Sequence, residues 1–227
     1  MKRRQFTAAL SAPVLAGGLA AAAPAWALGE GDAAAGVRAT LERGALAAVA
    51  LLGRTDGFLG NPQVRIPLPG ALADAEKLLR ATGQGKRLDE LITAMNRAAE
   101  AAVPEAKSLF VGAVKSVSIE DALKIVRGGP TSVTEFFATK TRTPLGERFL
   151  PIVTRATERV SLAQRYNTLA QRASGLGLLK GDDVSVQQHV TTRALDGLYL
   201  MIGEEERKIR ANPAATGSAI LRRVFGS

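Results

Sequence analysis

The chain contains no cysteine. That absence removes disulfides, thiolate metal sites, thiol nucleophiles and a lipid-modified N-terminal cysteine together. One histidine, His189, is too few for a histidine-rich metal centre. Aromatic residues make up only 4% of the 227 residues, so the core must be aliphatic and rich in alanine, which favours helices over a β-sandwich. Beyond the N-terminal segment no run of 18 uncharged apolar residues occurs, so no spanning helix is expected in the mature chain. The aromatics show no base-stacking spacing and no dense Lys/Arg patch appears, so nucleic acid is not an expected partner.

What is present is enough apolar residue, 46%, to build a real core. Met1 to Ala27 reads as a secretory signal peptide: Lys2, Arg3 and Arg4, then an Ala/Gly-rich run, then Ala25-Trp26-Ala27 as a small-x-small cleavage pattern. Arg3-Arg4-x-Phe6 also resembles a twin-arginine export signal. Cleavage takes these three cations from a formal charge of +9 and leaves +6. The mature chain is therefore expected to be periplasmic, soluble and mildly basic, with peripheral contact to anionic membrane surfaces open to it. Residues 28–227 are expected to form one helical domain.

The organising stretch is Leu88 to Gly129. Leu88, Leu91, Ile92, Met95, Ala98, Ala99 and Ala102 recur at helical spacing, with Asp89, Glu90, Thr93, Asn96, Arg97 and Glu100 on the other face. Val103-Pro104-Glu105 breaks this helix and starts a second, which buries Leu109, Phe110, Ala113, Val114 and Val117. Ser118-Ile119-Glu120-Asp121 is a capping signal for a third, with Val117 and Ala122 placed for a hydrophobic staple.

Asp32 to Leu52 is a first mature helix with Leu41, Ala45, Ala48, Val49 and Leu52 inward. After it, Asp56-Gly57 and Asn61-Pro62 mark turns, and Val64, Ile66 and Leu68 alternate with Gln63, Arg65 and Pro67. Two prolines bar a central strand, so residues 58–69 are expected as an extended strap over the helices, or at most an edge strand. Pro69 starts a helix with Leu72, Ala75, Leu78 and Leu79 inward. Further on, Ser132-Val133-Thr134-Glu135 and Ser185-Val186-Gln187-Gln188 read as capping boxes, Thr143-Pro144 as the start of a separate helix, and Pro151 as a kink or break. Leu162, Tyr166, Leu169 and Ala173 mark the next helix, residues 174–183 a glycine-rich loop, and Asn212-Pro213 the cap of a last helix. The expected fold is all-α: a single irregular bundle of about eight or nine helices with a short Pro-rich extended segment.

Thr55-Asp56-Gly57-Phe58, Ile66-Pro67-Leu68-Pro69, Met95 to Glu100, Phe149 to Val153, Ala194 to Leu198 and Glu204 to Pro213 resemble, in that order, the bacterial domain-of-unknown-function 4197 family. The resemblance runs from about Leu41 to Gly226. It implies an exported, mainly helical envelope protein and brings no reaction and no catalytic residues with it.

No catalytic constellation, cofactor motif or metal site is found in the residues. Five side chains stand out as ligand- or partner-binding candidates: Asp56, Asn96, Arg97, Glu100 and Glu205. Arg97 oriented by Glu100 makes an anion clamp or a plain i,i+3 ion pair. Asp56 makes a base or a side-chain-capped turn. Glu204-Glu205-Glu206 offers carboxylates, but neighbours on a helix point about 100° apart and cannot share one site. His189 is expected at the surface or at an interface. The leading functional expectation is non-enzymatic binding of an apolar or amphipathic ligand, such as a lipid, between helices. The alternatives are docking on an envelope protein through the strap, and a hydrolase using Asp56, Arg97 or Glu204 to Glu206.

Overall fold

Alanine and leucine at helical spacing give every long segment one apolar stripe, and the architecture follows from pairing those stripes. The computed structural model describes residues 30–175 and 185–226. Residues 1–27, read above as a signal peptide, and most of the expected glycine-rich loop, at 176–183, lie outside the described residues. Nine α-helices are described: α1 Glu30–Leu52, α2 Gly70–Ala81, α3 Gly85–Ala102, α4 Ala106–Lys115, α5 Ile119–Val126, α6 Ser132–Thr157, α7 Ser161–Gly175, α8 Val186–Ala211 and α9 Ala219–Phe225. Among the described residues there is no strand, and no helix is long and apolar enough to cross a membrane.

The core is a row of α1, α8, α6 and α3, each packed on the next. Leu41, Ala45, Ala48 and Leu52 face inward from α1, and Leu88, Leu91, Met95, Ala98, Ala99 and Ala102 from α3. Val190, Ala194, Leu195, Leu198, Met201 and Ile202 fill the α8 side. α4, α5 and α9 pack on α1, and α2 lies against α3. Ser118 and Asp121 cap α5 reciprocally, with Val117 and Ala122 both buried, as the sequence indicates.

Several elements differ from the sequence reading. α6 is one helix of 26 residues running through Pro144 and Pro151. Each proline removes an amide partner for the carbonyl four residues earlier, at Lys140 and Glu147, and both of those residues lie on the exposed side of the helix, where such a loss costs least. Ser132 does not cap α6 by its own side chain; its hydroxyl donates to Ile125 O at 2.7 Å. α2 buries no residue fully, and Leu78 is 67% exposed. α7 buries Ala163, Tyr166 and Ala170, one step off the expected stripe, leaving Leu169 outside. Asn212 caps a short 3-10 turn, Pro213–Thr216; Gly217, in the left-handed region at φ 69°, then reverses the chain, and Ser218 caps α9.

The strap between α1 and α2 is extended over less of its length than expected: turns and bends fill residues 53–60 and 62–64, and only residues 65–69 run without a turn, with Val64, Ile66 and Leu68 buried and Gln63, Arg65 and Pro67 exposed. Phe58 is fully buried and anchors its start. The strap also crosses α8 at Gly197, where a β-carbon would stand 3.0 Å from Phe58 and 3.1 Å from Val64. Glycine lets the Phe58 and Val64 side chains sit this close to the α8 backbone; any side chain here would push one of them aside.

Candidate functional site

Four of the five side chains singled out from the sequence meet at the strap. Asn96 and Glu100 are not on a solvated face: they are 0% and 5% exposed. The Asn96 amide grips Ile66 from both sides, accepting from its N–H at 2.8 Å and donating to its carbonyl at 3.0 Å. Glu100 Oε1 accepts the N–H groups of Phe58 (3.0 Å) and Leu59 (3.1 Å). Its Oε2 receives Arg97 at 2.7 Å, and Arg97 reaches on to Asp56 at 2.8 Å. Glu100 holds the Arg97 guanidinium above the usual arginine range. Asp56 sits at φ 64°, and its carboxylate serves this ion pair rather than its own turn.

This arrangement answers the question that an extended segment poses. A strap without sheet partners must satisfy its amides elsewhere, and an unpaired buried amide is costly. Asn96 and Glu100 supply the missing partners from α3. His189, expected at the surface or at an interface, is 3% exposed where α8 meets the strap, and its Nε2 donates to Pro67 O at 2.9 Å. The carboxylate of Glu100 is thus occupied by amides and a guanidinium. Asp56 and Arg97 lie toward solvent, with side chains 59% and 38% exposed. The group works as a buckle.

Glu205 stands apart on α8, in an ion pair with Lys208 at 2.6 Å. Its neighbour Glu206 carries the structural weight, and neither its burial nor its role at the start of α6 is legible in the sequence. Glu206 is 1% exposed and accepts the N–H groups of Val133 (3.1 Å) and Thr134 (2.9 Å) and the Thr134 hydroxyl (2.7 Å). It therefore caps α6 from a distant helix, in place of the expected local box. Arg210 balances its charge at 2.9 Å, as the i,i+4 spacing indicates, and lies over the Phe225 ring at 4.7 Å.

The most apolar concavity lies elsewhere, between α1 and α4. It has a volume of about 140 Å³, with Ala45, Leu46, Val49, Phe110, Val111 and Val114 as its apolar lining. Leu46 and Val111 are 41% and 40% exposed there. Lys107, Lys115 and Glu42 stand at its edge, and none of the three has an ion-pair partner among the described residues. Phe110 joins the groove to the core, its ring centroid 4.5 Å from that of Phe137. Sequence patterning marked Phe110 and Val114 as buried and left Leu46 and Val111 unremarked, because the groove arises from how two helices meet.

The model of the family described as protein of unknown function DUF4197 matches residues 27–226. The chain belongs to the DUF4197 family. No curated protein and no solved structure matches it. The stretches that carry the resemblance to DUF4197 are the working parts of the scaffold. Thr55 to Phe58 and Ile66 to Pro69 lie in the strap or at its ends, Met95 to Glu100 hold its buckle, Ala194 to Leu198 include the glycine it crosses, and Glu204 to Pro213 contain the remote cap.

Proposed function

We propose that this DUF4197 protein is exported, folds as one domain over residues 28–227, and binds an apolar or amphipathic ligand without catalysis in the groove between α1 and α4. The observation that carries the reading is the groove's make-up. An apolar lining beside Lys107 and Lys115, which have no ion-pair partner among the described residues and outnumber the one carboxylate there, Glu42, suits a molecule with a hydrocarbon part and an anionic end. The volume of about 140 Å³ corresponds to roughly five water molecules, so it takes the end of a chain rather than a whole lipid. The acidic residues offered for hydrolysis serve other ends: Glu206 is engaged by backbone amides, and Asp56, Glu204 and Glu205 by cations.

The test is native mass spectrometry of the purified chain, followed by titration with a fluorescent single-chain fatty acid. Saturable binding in the wild type, weakened by Val111→Glu and by Lys107→Glu/Lys115→Glu, supports the reading. A wild type that retains no lipid and shows no saturable binding overturns it.

A further inference from the structure

A second concavity, built from other elements, runs between the strap and α8. It has a volume of about 470 Å³ and is lined by Gln63, Val64, Arg65, Pro67, Arg193, Asp196, Gly197 and Leu200. Arg65 rises from the strap and Arg193 from α8, so two guanidinium groups face one groove. Arg65 has no ion-pair partner among the described residues. The carboxylate of Asp196 is mainly committed to Arg142 of α6, at 2.6 Å, and Arg142 is itself laid over the Tyr199 ring at 5.4 Å. Arg193 is ion-paired with Asp196 at 3.8 Å, beyond hydrogen-bond distance, and makes no hydrogen bond among the described residues.

The strap holds Arg65 in place before any ligand arrives. The residues on either side of it, Val64 and Ile66, are 7% and 0% exposed, so alternation sends Arg65 outward. Its N–H donates to Asn61 O at 2.9 Å. Asn96 clamps the next residue, Ile66, and His189 holds the carbonyl of Pro67. Two cations line this groove beside the single carboxylate of Asp196, so a bound anion gains from both of them. The planar guanidinium fork matches the oxygens of phosphate.

We propose that Arg65 and Arg193 form a phosphate-binding site, taking a phosphoryl group with Leu200 and Pro67 available to an attached organic part. The site shares no residue with the α1–α4 groove and stands or falls independently of it. Isothermal titration of the full chain with inorganic pyrophosphate at constant ionic strength tests the free ligand. Flotation with phosphatidylglycerol/phosphatidylcholine vesicles tests the same chemistry on a lipid headgroup. Both are run on the wild type, on Arg65→Gln/Arg193→Gln and on Lys107→Gln/Lys115→Gln, with thermal midpoints confirming that each variant folds.

The expected result is saturable pyrophosphate binding, weakened roughly tenfold or more by the arginine pair and unchanged by the lysine pair. Vesicle binding alone, lost in the arginine variant and kept in the lysine variant, supports the site with a lipid headgroup as the source. Absence of binding to both probes in the wild type overturns the proposal. So does an arginine variant that binds as the wild type does.

Discussion

Asn96 shows how much one side chain decides here. Its amide satisfies both polar groups of Ile66 inside the core, and nothing else is placed to replace it. Asn96→Ala is expected to cost about 2–4 kcal/mol, since it strands a buried donor and a buried acceptor; urea denaturation reads this directly. Glu206 and Glu205 make a sharper contrast. Glu206→Ala removes the α6 cap and leaves Arg210 without its partner, for about 3 kcal/mol, while Glu205→Ala stays within about 1 kcal/mol. The sequence presents these two glutamates as equals, because helical periodicity tells which way a residue points but not whether a distant amide is waiting there. Tyr199 adds a pH dependence. Burial pushes its hydroxyl up to about 12 from an ordinary value near 10.0, against the smaller opposing effect of its hydrogen bond with Thr141. The folded state therefore keeps the proton longer, and this contribution is full below pH 10 and is lost as pH rises through about 12. Unfolding curves of wild type and Tyr199→Phe, compared from pH 9 upward, should diverge in that window, with the wild type falling faster.

Among the elements, the long amphipathic stretches were the most legible. The inward faces of α1, α3 and α8 follow their apolar spacing almost residue for residue, and the alternation of Val64, Ile66 and Leu68 marks the strap. What local pattern missed was supplied by tertiary partners. Asn96 and Glu100 look solvent-facing on α3 until a strap lies over them. Pro144 reads as a helix start until the place of Lys140 on the exposed side of the helix makes a mid-helix proline tolerable. Likewise Ser132 reads as a cap until Glu206 arrives from α8. The closeness of strap and α8 is tested by Gly197→Ala. The added methyl meets Phe58 and Val64 at about 3 Å, and the variant should lose about 1–3 kcal/mol in thermal or urea unfolding. A fully stable variant would mean that the strap rides higher on α8 than described.

At the scale of the whole molecule, a cysteine-free chain with few aromatics is held together by aliphatic helix faces and two buried carboxylate anchors, Glu100 and Glu206. Its formal charge of +9 favours anionic partners, and the two sites proposed above, at the α1–α4 groove and at the strap groove, both carry cations. The most direct test of the binding account is an amide-resolved NMR titration of the mature chain with a single-chain fatty acid. The account predicts saturable shifts confined to α1 and α4 around Leu46, Val49, Phe110 and Val111. Shifts scattered over the surface, or none at all, would contradict it.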